Sequence, residues 1–264
     1  MVRKSLILAI FLNALIPFGT QAADVKARYS VYSSGFKILS ADLHLKEDTS
    51  SYRVILDTKT SGFLGWLVPW EGVFESAGTI KSGTYTPQKH YSSAIWKKEV
   101  DTKTYSYLED GRFGDLSIEG TYIEKQSKKV DPKLADFTTD ILSATLNALN
   151  ALECTSKQDI FDGKRRYELS FTKQGEEDLT ASRYNIYGGK AIKCQAEITP
   201  KGGAWHKKPR GWLSIQEQGR QRGELPSFWY APIMVGNEIA NLPVKLVVHT
   251  KFGTLRMNLS GISE

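Results

Sequence analysis

From residue 24 onward, apolar and polar residues alternate along almost the whole chain. That is the period of strands with one face on a core and the other in water. Ala41, Leu43 and Leu45 alternate with Asp42, His44 and Lys46, and Tyr52, Val54 and Leu56 repeat the pattern over 51–60. Strands are also expected over 24–32, with Tyr29 and Val31 on one face, over 36–46 and 73–80, and over 90–107, which has room for two. Ser33-Ser34-Gly35 and Ser82-Gly83 punctuate them, and Asp110-Gly111 marks a hairpin into Leu116, Ile118 and Tyr122. One-sided strands joined by short turns make an antiparallel meander.

The segment 62–70 breaks this alternation. Seven of its nine residues are apolar or Pro, and Gly62, Gly65 and Pro69 argue against both a long helix and a central strand. It reads as an inserted connection between two strands. Either it plugs the protein's own interior or it meets something apolar, and the sequence leaves both open.

One convincing helix is expected, over 138–152. Ile141, Leu142, Thr145, Leu149 and Leu152 share a face, and Ala144, Ala148 and Ala151 favour helix and close packing. Thr138 or Thr139 is suited to cap it, with Asp140 placed for the helix dipole. A helix with an apolar face inside a β chain is expected to lie across an open sheet and close its core. Beyond it, Phe161-Asp162-Gly163-Lys164 is a turn leading to Tyr167, Leu169 and Phe171. A hairpin is read over 183–187 and 190–199 around Gly188-Gly189, a strand at Trp212, Leu213 and Ile215, and a last hairpin over 243–250 and 254–262. The segments 202–205 and 227–232 read as loop or edge segments carrying apolar side chains.

The first 22 residues read as a signal peptide rather than part of the fold. Arg3 and Lys4 precede an apolar run from Leu6 to Phe18, and small residues follow at Thr20-Gln21-Ala22. A retained N-terminal anchor is the alternative. With Arg3 and Lys4 removed, 33 Lys and Arg stand against 29 Asp and Glu. So small and dispersed a surplus gives no phosphate-binding footprint and points away from nucleic acid. The densest cluster, His206-Lys207-Lys208-Pro209-Arg210, is a solvated loop or a peripheral contact with anionic lipid headgroups or cell-wall polymer. In an exported protein the two cysteines, Cys154 and Cys194, are read as one disulfide, with two buried free thiols as the alternative.

Catalytic signatures are thin. No nucleophile elbow, zinc-protease motif or phosphate-binding glycine loop occurs, and His44, His90, His206 and His249 are far apart in sequence. Glu109-Asp110 and Glu176-Glu177-Asp178 sit in turns, without the opposed geometry of catalytic carboxylates. No cofactor or metal site is expected. The aromatics Trp66, Trp70, Trp205, Trp212, Trp229 and Tyr230 fall where the alternation breaks. They either fill the ends of a barrel or form a cavity mouth or docking patch.

The order of the local motifs resembles a known family. Tyr29-Ser30-Val31-Tyr32-Ser33-Ser34-Gly35, Thr60-Ser61-Gly62 and Gly83-Thr84-Tyr85-Thr86-Pro87 are similar to segments of the domain of unknown function 3108 family of bacterial envelope proteins. The similarity continues through Asp140-Ile141-Leu142-Ser143, the Phe161 turn, Gly188-Gly189 with Cys194, Leu242-Pro243-Val244 and Phe252-Gly253-Thr254. The resemblance implies an exported protein and carries no catalytic residues. A looser architectural similarity, to the periplasmic lipoprotein carriers LolA and LolB, implies an incomplete barrel around an apolar cavity.

The expected fold is mostly β: an antiparallel open barrel or curled sheet with one covering helix, in a single domain over 23–264. The expected function is non-enzymatic binding or carriage of an apolar envelope component, a lipid or a lipoprotein acyl chain, by a periplasmic monomer. Phe63, Leu64, Trp66, Leu67 and Trp70 would line or gate the cavity, and Ile141, Leu142 and Leu149 would wall it. The alternatives are a structural envelope-maintenance protein that docks another protein, and a hydrolase.

Overall fold

The computed structural model describes residues 23–264 apart from 97–98, 121–130, 152–153, 210 and 252. The signal-peptide reading of 1–22 lies outside the described residues, as do Tyr122, Leu152, Arg210 and Phe252.

Two meanders make one sheet. The first comprises β1 (Ala23–Ser33), β2 (Phe36–Glu47), β3 (Ser51–Thr60), β4 (Trp70–Lys81), β5 (Thr84–Trp96), β6 (Glu99–Tyr107) and β7 (Phe113–Glu119). The second comprises β8 (Lys157–Phe161), β9 (Arg165–Leu179), β10 (Gly189–Gly203), β11 (Ser227–Val235), β12 (Glu238–Thr250) and β13 (Gly253–Ser263). They join where β1 pairs with β13, so the 13-stranded sheet has β7 and β8 as its edges. Every strand pairing is antiparallel.

Among the described residues three α-helices interrupt the strands, α1 (Gly62–Leu67), α2 (Ile141–Asn150) and α3 (Trp212–Arg222), along with a short 3-10 turn at Pro132–Ala135. Helix α2 touches β4, β5, β8 and β12, strands far apart in the sheet order, so the sheet curls around it. Six of its ten residues are buried, which makes it an enclosed helix rather than a surface one. The two edge regions approach without forming a ladder. The Tyr105 hydroxyl of β6 donates to the Phe161 carbonyl of β8 at 2.8 Å, and the Lys103 ammonium donates to the Asp162 carbonyl at 2.7 Å. Tyr105, Tyr107, Phe113 and Phe161 pack edge to face along this seam. Bulky side chains thus cover sheet edges that would otherwise offer unpaired backbone to another chain.

A buried polar network fixes α2. Its N-cap is Asp140, not Thr138 or Thr139; Thr139 instead bridges to Ile160. The Asp140 carboxylate accepts from the Leu142 and Ser143 backbone N–H groups at 2.8 and 3.0 Å. It also accepts from the Ser143 and Ser76 hydroxyls at 2.5 and 2.6 Å. With the Ser76 hydrogen committed to Asp140, the imidazole tautomer that fits is the one in which His90 Nδ1, 2.8 Å from Ser76 Oγ, bears the hydrogen and donates. Burial alone would raise the Asp140 pKa, but His90 and the two hydroxyls outweigh it and hold the carboxyl below its usual range. Further along the helix, the Asn147 amide pairs with the Tyr85 backbone, accepting at 2.7 Å and donating at 2.9 Å.

The second half departs from the sequence reading in three places. Strand β10 pairs with β9, not with 183–187. There, Ser182 and Asn185 side chains accept from nearby backbone N–H groups, and the Asn185 amide donates to the Val244 carbonyl at 3.0 Å. Such local bonds compete with a strand ladder. Trp212, Leu213 and Ile215 start α3 rather than a strand; Gly223, in the left-handed conformation at φ +70°, ends it. The segment 227–232 belongs to β11, whose Phe228, Trp229, Tyr230 and Ala231 are all buried between β10 and β12. The expected cysteine pairing is present: Cys154, just beyond α2, is bonded to Cys194 of β10 with Cα atoms 6.1 Å apart, both fully buried.

Candidate functional site

Between α2, strands β9–β13 and α3 lies a cavity of about 680 Å³. Its walls are mainly apolar. Ile141 and Thr145 of α2 face Phe171, Phe228, Leu246 and Met257 from the sheet, and Trp205 and Trp212 come from the connection before α3 and from its first turn. The strands deliver these side chains because alternate residues of β9 and β10 (Leu169 and Phe171, Ala196 and Ile198) share the cavity side.

The mouth has an ordered polar frame. Asp162 accepts from the Lys164 and Arg165 backbone N–H groups at 3.0 and 2.8 Å and holds the Arg165 guanidinium at 2.6 Å. That guanidinium lies 4.9 Å from the centroid of the Trp205 ring, which meets the edge of Tyr167, and the Trp205 indole donates to the Gly202 carbonyl at 2.8 Å. Burial pushes the Tyr167 hydroxyl well above the ordinary tyrosine value, so it stays neutral. The Trp212 indole N–H is buried without an acceptor among the described residues. Helix α3 is clamped over this region by Gln216, which is 2 % exposed. Its amide accepts from the Ile198 N–H at 2.7 Å and donates to the Ile198 carbonyl at 2.9 Å, completing a stretch of β10 that runs past the end of β11.

The residues expected to bind ligand are divided by the structure. Ile141 lines the cavity. Leu142 is buried in the core between α2 and the sheet, and Leu149 borders a separate, smaller cavity of about 90 Å³ beside Tyr85. Phe63, Leu64, Trp66, Leu67 and Trp70 are neither a plug nor a wall of the large cavity. Helix α1 has no buried residue; Phe63, Trp66 and Leu67 are 73 %, 77 % and 57 % exposed, and Leu64 and Trp70 are partly buried. The cause is the two glycines. A Cβ on Gly62 would lie 2.9 Å from the Lys37 carbonyl, and one on Gly65 would lie 3.0 Å from the Thr60 carbonyl. The backbone of α1 therefore sits flush on the strand ends, and its large side chains are left on the solvent side.

The strand directions put this apolar tip and the cavity mouth at the same end of the sheet. The α1 connection follows the end of β3, and β9 begins and β10 ends at that same end, with Arg165 and Trp205. Sequence reasoning pointed to Trp205 and Trp212 but missed Phe171, Phe228, Leu246 and Met257. Their alternation marks them as inward-facing, but not as lining a space left unfilled.

Chemistry is sparse around the cavity. The buried Ser76, His90 and Asp140 have the residue types of a hydrolytic triad but a different order, since the serine hydroxyl donates to the carboxylate rather than to the imidazole. All three are nearly inaccessible, so the set acts as a helix anchor. Among the described residues no group of three or more His, Cys, Asp or Glu is placed to hold a metal ion, and no helix is long and apolar enough to cross a membrane.

A curled, unclosed antiparallel sheet wrapped on a helix, with an apolar cavity at one end, defines a β-barrel-like protein with a built-in hollow. The chain belongs to the family described as "Protein of unknown function (DUF3108)", which matches residues 28–260. Among solved structures it is similar to a crystal structure described as a beta-barrel-like protein of domain of unknown function DUF1849 from Brucella abortus. The two share 8 % identity over 90 % of this chain and 96 % of that one, with a TM-score of 0.49. The sequence matches none of the curated proteins.

Proposed function

We propose that this protein is an exported, periplasmic, non-enzymatic binder or carrier of an apolar envelope component, a lipid or a lipoprotein acyl chain. The observation that carries this reading is the apolar cavity of about 680 Å³, which falls within the ~300–1,000 Å³ of small-molecule sites. A hydrocarbon chain needs no catalytic group to bind there, because each methylene taken from water contributes roughly 0.8 kcal/mol. The Trp212 indole N–H and the Arg165 guanidinium at the mouth suit a ligand whose chain ends in a carbonyl or acidic group.

Native mass spectrometry of the protein purified from its host under non-denaturing conditions tests this. Co-purifying lipid is expected, and Ala196→Trp, which puts an indole into the cavity, should remove it. Ligand-free wild-type protein in repeated preparations would refute the reading. The second reading, an envelope-maintenance protein that docks another protein, draws on the exposed α1; the unfilled interior favours the carrier.

A further inference from the structure

Most of the large apolar side chains exposed on the first meander gather at one end of the sheet, while Leu108, 48 % exposed beyond β6, lies at the other. Phe36 opens β2 and is 75 % exposed, Phe63, Trp66 and Leu67 stand on α1, and Trp96 and Val100 flank the β5–β6 turn at 44 % and 48 % exposed. The register places them together. Ser61 N–H donates to the Ile38 carbonyl, Thr60 pairs with Leu39, and Trp70 pairs with Trp96. Phe63 and Trp66 touch each other, ring centroids 5.7 Å apart.

We propose that this end of the molecule docks on the surface of an anionic phospholipid bilayer, so that the cavity mouth faces the membrane. The docking stands on its own observations; its use for loading or unloading a chain rests on the carrier reading. Three features select a bilayer as the occupant. The tip is built of exposed side chains on a short helix that buries none of its own residues. A protein partner or a second copy would need a matching groove, whereas a bilayer admits projecting Trp, Phe and Leu at its interface without one.

The charges around the tip complement an anionic surface. Exposed Lys37 and Lys59 flank α1, and exposed Lys207 and Lys208 lie across the cavity mouth, against Glu71 and Glu99 at the same end. The opposite end carries the acidic turns Glu47-Asp48 and Glu109-Asp110 and, within β9 rather than in the expected turn, Glu176-Glu177-Asp178. There Arg112, Lys190 and Lys193 pair with Asp110, Asp178 and Glu177. The exposed Lys37 and Lys59 beside the aromatic side chains favour approach to an anionic surface with that end first. The position is the third feature. Because α1 and the Arg165–Trp205 frame share one end of the sheet, docking through α1 turns the cavity toward the lipid and not away from it.

Flotation of the purified full chain with vesicles tests this, comparing phosphatidylglycerol–phosphatidylcholine mixtures with phosphatidylcholine alone. Wild type should float with the anionic vesicles, less with the zwitterionic ones, and less as salt is raised. The Phe63→Ser/Trp66→Ser variant should lose at least about tenfold in partitioning, equivalent to roughly 1.4 kcal/mol. Lys37→Glu/Lys59→Glu should abolish the preference for anionic lipid, with circular dichroism showing both variants folded. No flotation of the wild type, or flotation of the tip variant equal to wild type, overturns the proposal. A tip-dependent dimer in sedimentation with no vesicle binding overturns it in favour of a second copy, and tip-dependent capture of a protein without vesicle binding does so in favour of a protein partner. Flotation that persists when Ala196→Trp blocks the cavity is expected, so failure of the carrier reading leaves docking intact.

Discussion

Replacing Asp140 should loosen the helix around which the whole sheet is wrapped. Asp140→Ala removes the α2 N-cap, worth ~1 kcal/mol. It also takes the acceptor from the buried Ser76 and Ser143 hydroxyls. Each buried polar group left unsatisfied costs ~1–3 kcal/mol. Not all of these add, because the Ser143 hydroxyl, 2.5 Å from the Tyr52 hydroxyl, keeps a partner, so the expected loss is about 3–5 kcal/mol. For a chain of this size that lowers the melting temperature by roughly 10 °C. Asp140→Asn keeps a capping oxygen and should lose about half as much.

Urea denaturation followed by circular dichroism measures both variants. A loss for the alanine variant below about 1 kcal/mol would show that the carboxylate does not anchor the helix. The pH dependence gives an independent reading. The folded-state pKa of Asp140 lies below its unfolded value of ~3.9, so the contribution is full above that pH and drains away as pH falls through the folded value. Wild type should therefore lose stability in acid more steeply than Asp140→Asn; parallel acid limbs would refute the assignment.

Two further predictions concern the second meander. Non-reducing peptide mapping of the protein purified from its host should find Cys154 linked to Cys194, and Cys154→Ser/Cys194→Ser should cost about 4 kcal/mol for a loop of about 40 residues; free thiols would sink the claim. Gln216→Ala should remove the clamp of α3 on Ile198 at about 2 kcal/mol, read as faster hydrogen exchange in α3 with the exchange of β1 and β13 unchanged. Equal protection of α3 in the variant would show that the amide clamp holds nothing.

The alternating strands of the first meander are legible because each residue's side is fixed by period two alone, as at Tyr52, Val54 and Leu56. The helix over 141–150 is legible from its alanines and leucines. Its true cap is less so, because Thr138, Thr139 and Asp140 are all capping residues and only the bridge from Thr139 to Ile160 chooses among them. Trp212, Leu213 and Ile215 fit either period, and the overlooked signal was at the far end, where Arg220, Arg222 and Gly223 form a helix C-terminus. The density of apolar residues over 62–70 is plain in the sequence. Whether they turn inward depends on what Gly62 and Gly65 touch, and those contacts are carbonyls of residues 37 and 60, which no local pattern reveals.

The junction of β1 with β13 also dictates how the protein comes into being. Lys26 lies opposite Ser263, so the first strand of the sheet must wait for the last before the two meanders can join. Each meander can zip locally, hairpin by hairpin, but the seam between them closes a loop of nearly the entire polypeptide, the slowest kind of contact to form. Until then β1 offers a bare, alternating edge to any strand it meets. Folding is thus a race between the arrival of the C-terminal strand and mispairing. The last dozen residues, which also bring Met257 to the cavity wall, decide whether the two meanders become a single sheet.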